Sequence, residues 1–281
     1  MKLTPSVLNL DFSEIEIEIT NFIKKYVSNS QTKGVVLGLS GGIDSATTAA
    51  LCSKALGSQN VLALVLPEGE TRNQKDINDA ETIAKQFNIE TQIIDMSQTL
   101  ESIYTTIPIY DQKNQTCKGN IKARMRMIIL YYYANKLNKI VCGSSDKSET
   151  LMGYFTKWGD GAADFSPIKN LYKTQVRKLA IKLGIPESIA TKPATPALWP
   201  NQLAESELGI KYESLDLILY GLEKLMPTNE IANQLDVEEN TIETIKKRLL
   251  HNKHKRRLPI TFKIDNNRAV ENCVKRSIQN C

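Results

Sequence analysis

The sequence predicts an α/β fold: an open parallel sheet with helices on both faces, followed by extra C-terminal helices. Three observations carry this. Short, continuous apolar runs rich in Val, Leu and Ile recur between residues 35 and 145, the pattern of strands covered on both faces. Segments of helical periodicity separate them, and such alternation builds parallel βαβ units. After about residue 166 the β pattern fades and only helical segments follow.

Taken in order, residues 10–30 alternate acids with Ile and then run NFIKKYV, which predicts an entry helix. VVLGLS (35–40) is a first strand, and Gly41 and Gly42 turn the chain into a helix over 43–57, with Gly57 as its stop. VLALVLP (61–67) is a second strand, QKDINDAETIAKQFN (74–88) a helix, and TQIIDM (91–96) a third strand. NIKARMRMIILYYYANKLN (120–138) forms a long helix, and KIVCGSS (139–145) a strand ending in small residues. YKTQVRKLAIKLG (172–184) and the segments near 212–224 and 228–250 are helices, joined by the Pro-rich PATPALWP (193–200). Residues 1–265 read as one domain whose last third wraps the sheet, and 266–281 as a tail, either disordered or packed on a partner.

With 41% apolar residues among 281, the chain has ample material for a packed core, which excludes disorder. No run approaches the ~18 apolar residues of a membrane span. The N-terminal stretch lacks the layout of a signal peptide, being broken by Asp11, Glu14 and Glu16, so a cytoplasmic protein is expected. Five cysteines without a CxxC pair, and only two histidines, argue for free thiols rather than a zinc site. The net charge of +5 is concentrated: KKRLLHNKHKRR (246–257) holds seven Lys/Arg and no acid. Removing those seven from 36 leaves 29 cations against 31 acids, a net of −2, so function must account for one basic segment.

The strongest chemical signal is LGLSGGIDSA (37–46). A buried strand ends in a Gly-rich turn that opens a helix, the context of a phosphate cradle: glycines admit the anion and helix-start N–H groups point at it. Gly38, Leu39, Ser40, Gly41, Gly42, Ile43, Asp44 and Ser45 form the candidate ATP-binding loop, with Ser40 and Ser45 adding hydroxyl donors. A carboxylate at Asp44 repels phosphate unless a cation lies between them, which implies Mg²⁺. Glu149 lies beyond another strand end, where a second carboxylate can share that metal. The loop is not the GxxxxGK[ST] type and has no lysine; it resembles the SGGxDS loop of ATP pyrophosphatases, which cleave ATP to AMP and pyrophosphate.

Three further segments resemble the ammonia-dependent NAD synthetase family: KGNIKARMRM (118–127), GSSDKSETLMGYFTKWGDGAADFSPI (143–168) and HKRRLP (254–259). The likeness extends from about Leu37 to Pro259. It implies an adenine nucleotide alpha hydrolase-like, Rossmann-like fold and amidation of deamido-NAD (nicotinic acid adenine dinucleotide) through an acyl-adenylate. ATP is then a co-substrate and Mg²⁺ the cofactor, on Asp44 and Glu149. The resemblance adds Ser144, Lys173 and Thr195 as ATP contacts, and Arg124, Lys157, Asp164, His254 and Lys255 as contacts to deamido-NAD. Asp44 and Lys173 are the expected catalytic groups, with Asp160 in WGDG as the candidate that takes a proton from ammonium. The absence of a Ser-His or Cys-His arrangement agrees with a reaction that needs no protein nucleophile.

Glutamine-dependent relatives carry an amidase domain ahead of the loop; here about thirty residues precede the first strand, so free ammonia is the expected nitrogen donor. Members of the family are typically homodimers with a shared substrate site, which makes a homodimer the expectation. The apolar surface in ILYYYANKL (129–137) serves either that contact or the core. Two alternatives exist. Another pyrophosphatase acting on RNA or a small substrate would use the basic run on phosphates, but the sequence has no RNA-binding module or thiol pair. Residues 228–257 also scan like a helix-turn-helix, a pattern that two amphipathic helices in a corner produce readily. The basic run is therefore read as serving a small anionic substrate rather than nucleic acid.

Overall fold

The computed structural model describes residues 2–262. Its centre is a parallel four-stranded sheet in the order β3-β2-β1-β4, formed by β1 (Val35–Gly38), β2 (Val61–Val65), β3 (Glu90–Ile93) and β4 (Ile140–Val141). Val35 pairs with Val61 on one side and with Ile140 on the other, so β1 is central. Successive side chains on a strand face opposite ways. Val35 and Leu37, with Val61, Ala63 and Val65, face one layer; Val36, Leu62 and Leu64 face the other.

The first layer contains α1 (Phe12–Asn29), α2 (Ile43–Leu56), α3 (Gln74–Gln86) and α7 (Lys173–Lys182), which contribute Ile23, Leu51, Ile83 and Leu179 to its core. On the opposite face lie α4 (Ser97–Thr106) and α5 (Gln115–Leu137), with Leu100, Tyr104, Met125 and Ala134. Beyond the short α6 (Lys147–Met152), α8 (Glu187–Ala190) and α9 (Ala204–Leu208) come α10 (Tyr212–Glu223), α11 (Thr228–Leu235) and α12 (Glu239–His251). These last three bury Leu215, Ile218, Ile231, Ile242 and Ile245 in a third cluster, joined by Leu3, Leu8, Met152 and Tyr172. The two helices of the helix-turn-helix-like segment thus spend their apolar faces on the protein's own core.

Several elements differ from the sequence reading: the short α6, α8 and α9 were not among its helices, and α4, α5 and β4 depart from it as follows. Helix α4 was not anticipated, because Asp95, whose side chain accepts the Ser97 N–H at 2.8 Å and so starts it, falls inside the run read as the third strand. Helix α5 begins five residues early, where the Asn114 side chain accepts the Cys117 N–H at 3.0 Å. Gly119 inside it reads as a breaker, yet a Cβ there would lie 3.0 Å from Leu198 Cβ. Close approach, not helix termination, fixes that glycine. Strand β4 is short: the ladder ends with Cys142 N–H donating to Val36 O, and residues 143–145 leave for α6. Tyr131 and Tyr133 pack against the core while Tyr132 is exposed, so the Tyr-rich run belongs in part to the core.

Candidate active site

After β1 the chain moves outward to β2 and β3, then returns to place β4 on the opposite flank of β1. In open parallel sheets the carboxyl ends of strands at such a reversal form the natural ligand crevice. The candidate phosphate loop follows β1 there, and the turn carrying Ser144, Asp146 and Glu149 follows β4.

The loop is held from within. Ser45 Oγ donates to Gly42 O at 3.0 Å and accepts Ser40 N–H at 3.2 Å, and Ser40 Oγ accepts Gly42 N–H at 3.3 Å. Gly41 has φ +76°, and a Cβ on it would lie 2.2 Å from the Asp76 carbonyl oxygen, so no larger residue fits. Helix α2 starts at Ile43, and its first-turn N–H groups have no intrahelical acceptor. These groups and the helix dipole make the loop an anion site.

At its rim stands an ion cluster. The Lys173 ammonium, fully buried at the start of α7, lies 2.6 Å from Asp44 Oδ2, 2.8 Å from Asp146 Oδ2 and 2.8 Å from Glu149 Oε1. One carboxylate oxygen from each acid falls within 4.8 Å of the others. Burial pushes the Asp146 carboxyl up to about 6, against the pull of Lys173 and with the push of Asp44. Burial also raises the Glu149 carboxyl, reinforced by Asp146. For Lys173 burial acts downward, but the carboxylates, Asp146 first, outweigh it and hold the ammonium above its ordinary range.

Three acids against one cation give a formal charge of −2 when all ionise, and the raised Asp146 and Glu149 carboxyls reflect that excess. Asp44 Oδ1 and Asp146 Oδ2 are buried without a hydrogen-bond partner among the described residues, since the Lys173 contact to Asp146 is an ion pair lacking hydrogen-bond geometry. Hard, excess, under-satisfied carboxylate oxygens beside a phosphate cradle fit Mg²⁺. Asp146 was missed by sequence because it reads as a cap: its Oδ1 accepts Glu149 N–H at 2.8 Å and starts α6.

The cluster has a buried support that sequence reasoning also missed. Asp216 on α10 accepts the Ser148 hydroxyl through one oxygen and Thr174 N–H at 2.9 Å through the other, while Ser148 Oγ accepts Lys173 N–H at 3.0 Å. Tyr212 sets its ring 5.2 Å from the Lys173 ammonium. No local signal marks these residues, whose partners are 25–68 positions away.

The expected substrate residues form a second group, joined to the first through α6. Arg124 is exposed, and its Nη2 donates to Lys157 O at 3.3 Å. Lys157 stands 5.2 Å over the exposed Trp158 ring. Lys255 donates to Gly153 O at 2.8 Å and Phe155 O at 3.0 Å, which ties the basic segment to the loop that carries Lys157 and Asp160; His254 is exposed beside it. Asp160 accepts Thr156 N–H at 2.9 Å. Although part of the residue reaches solvent, the protein packed around its carboxyl raises it above the usual range, opposed by that hydrogen bond, Arg126 and Lys255.

Among the described residues, Asp164, Ser144 and Thr195 make no hydrogen bond to the residues of either group. Asp164 Oδ2 accepts Val141 N–H at 2.7 Å, and Oδ1 lies 3.4 Å from the Tyr131 hydroxyl, so one oxygen engages β4 and the other α5. Ser144 is half-buried between β4 and α6. Thr195 is exposed, its hydroxyl accepting Ala197 N–H at 3.0 Å. Cys52 and Cys142 are buried free thiols, and Cys117 is free and exposed. Cys273, Cys281 and the 266–281 tail lie outside the described residues.

A family model described as NAD synthase matches residues 15–259. The chain is 45% identical over 254 residues to the NH(3)-dependent NAD(+) synthetase of Hyperthermus butylicus, covering 90% of this chain and 91% of that one. Among solved structures, the NH3-dependent NAD synthetase of Campylobacter jejuni superposes with a TM-score of 0.76 at 34% identity, covering 91% of this chain and all of that one. The NMN synthetase of Francisella tularensis superposes with a TM-score of 0.80 at 33% identity, with the same coverage.

Proposed function

The chain belongs to the NAD synthase family, and from that premise we propose that it is a C–N ligase that amidates deamido-NAD⁺ with ammonia. ATP is consumed and NAD⁺, AMP and pyrophosphate are released. The observation that carries this reading is the Asp44–Asp146–Glu149–Lys173 cluster set against a phosphate cradle at the sheet's reversal point.

In the first step the nicotinate carboxylate attacks the α-phosphorus of ATP and pyrophosphate leaves. In the second, ammonia attacks the acyl-adenylate and displaces AMP. The chain's work is positioning and charge: amides of the loop and of the α2 start bind the leaving pyrophosphate, and Lys173 brings a fixed positive charge to its edge. Ser144 and Thr195 add hydroxyls for ATP. Mg²⁺ held by Asp44, Asp146 and Glu149 would neutralise charge on the departing phosphates. Arg124, Lys157, Asp164, His254 and Lys255 are assigned to the dinucleotide. Asp160, whose carboxyl is held above the usual range on the Lys157 loop, is assigned to receive the ammonium proton.

A homodimer is supported by apolar surface around Asp164. Phe22 and Tyr26 on α1 and Ile128 and Tyr132 on α5 are exposed, and the Tyr26 hydroxyl donates to Asp164 O at 2.7 Å. A second copy on this face would approach Asp164, and light scattering of the purified chain tests it. No helix of the described residues is long and apolar enough to cross a membrane, which is compatible with a cytoplasmic enzyme built as one domain over 1–265.

The likeness to an NMN synthetase favours one second reading, in which the carboxylate belongs to a nicotinate mononucleotide. Pyrophosphate release with Mg-ATP and ammonium, compared between deamido-NAD and the mononucleotide, decides. Faster turnover per substrate concentration with the dinucleotide supports the first reading, and preference for the mononucleotide overturns it.

A further inference from the structure

Lys192 immediately precedes the Pro-rich segment, three residues before Thr195. Its ammonium donates to Gly41 O at 3.2 Å and to Asp76 Oδ1 at 2.6 Å, and it also bonds Asp79 Oδ2. Gly41 is the left-handed residue on which a Cβ would collide with the Asp76 carbonyl. One cation therefore joins three elements: the phosphate loop, the first turns of α3 and the segment that carries Thr195. Burial lowers the Lys192 ammonium, but Asp76 and Asp79 reverse this and keep it charged.

Resting on the nucleotide site described above, we propose that Lys192 is a positioning residue for ATP. Its bond to Gly41 O fixes the plane of the Gly41–Gly42 peptide and so the direction of the loop's N–H groups. A peptide plane is rigid, and its soft torsions lie at the flanking Cα atoms. With glycine on both sides, steric limits on those torsions are at their weakest. A loop built to admit phosphate closely is thus free to rotate its own amides away, and a cation on the carbonyl opposes that. The two aspartates hold Lys192 in place and leave it little surplus charge, which separates its role from direct charge neutralisation of phosphate.

The far end of the same segment is fastened independently. The fully buried Lys122 donates to Leu198 O at 2.9 Å and pairs with Glu68 at 2.9 Å and Glu70 at 2.6 Å, while Thr71 Oγ1 donates to Ala197 O at 3.0 Å. Loss of Lys192 then releases the loop carbonyl without unfastening the segment as a whole. The predicted effect falls on ATP rather than on the dinucleotide, whose assigned residues Arg124, Lys157 and Lys255 lie on α5, the 153–161 loop and the turn after α12.

The test is calorimetric titration of the full chain with Mg²⁺ and α,β-methylene-ATP, and separately with deamido-NAD. Lys192→Met should weaken the ATP analogue about ten-fold, the factor for one lost charge-assisted hydrogen bond, with deamido-NAD affinity unchanged. Lys192→Arg, which keeps the cation, should recover most of the loss. Unchanged ATP-analogue affinity in Lys192→Met, or equal losses for both ligands, overturns the proposal. A wild-type chain that binds no ATP analogue overturns the nucleotide site itself, a failure visible before any variant is made. If the Met variant does not fold, Lys192→Gln, which keeps an amide donor, is read against the same outcomes.

Discussion

Replacing Lys173 with methionine removes the cation that binds Asp44, Asp146 and Glu149 while keeping its bulk. At an effective dielectric constant of about 20, two unit charges 4.8 Å apart repel by about 3.5 kcal/mol. Three ionised carboxylates so placed would be costly against a whole-domain stability of about 5–15 kcal/mol. The variant responds by taking up protons, and the residual cost is about 3–5 kcal/mol, that of a buried ion pair stripped of one partner. At about 2–4 °C per kcal/mol for a chain of this size, Tm at pH 7.5 without metal should fall by about 6–20 °C. Millimolar Mg²⁺ should raise Tm more in Lys173→Met than in the wild type, because the ammonium no longer competes for the same oxygens. Thermal melts of both proteins with and without Mg²⁺ read this directly. Equal Tm values without metal, or a Mg²⁺ shift no larger in the variant, would refute the cluster as a cation site.

Further expectations rest on single residues. Gly41→Ala, at φ +76° with backbone 2.2 Å from the new Cβ, should cost more than about 1–2 kcal/mol of stability and raise KM for ATP, as melts and initial rates would show; a silent substitution would contradict the loop geometry. Asp146, raised to about 6 in the fold, binds its proton more tightly folded than unfolded, so its contribution is full below about pH 4 and is lost as pH rises through about 6. Without Mg²⁺, Asp146→Asn should therefore gain stability relative to wild type across pH 4–6 in urea titrations, and a pH-independent difference would count against the shift. Asp160→Asn should raise KM for ammonium while adenylation persists; normal ammonia kinetics would remove Asp160 from the mechanism.

Much of the fold could be read from residues that act locally. The doubly covered strands 35–38 and 61–65, the Gly41–Gly42 turn and the start of α2 each carry their signal in neighbouring positions. Helix α4 escaped because its capping Asp95 lies inside the run read as the third strand, and the early start of α5 was hidden by a glycine conserving space for Leu198. The site divides in the same way. The Asp44 loop shows in sequence because phosphate binding needs contiguous backbone. Asp146, Asp216 and Lys192 do not, since an aspartate at a helix start is the common cap and the other two act across 42–151 positions. Long-range charge closure is a property of the folded chain, and no local pattern encodes it.

Adenylation of a substrate carboxylate followed by ammonia attack leaves an isotopic trace. Deamido-NAD labelled with ¹⁸O in the nicotinate carboxylate, incubated with the chain, Mg-ATP and ammonium, should yield NAD⁺ together with AMP carrying one ¹⁸O, and unlabelled pyrophosphate. ADP and inorganic phosphate as products, or AMP free of label while NAD⁺ forms, would contradict it.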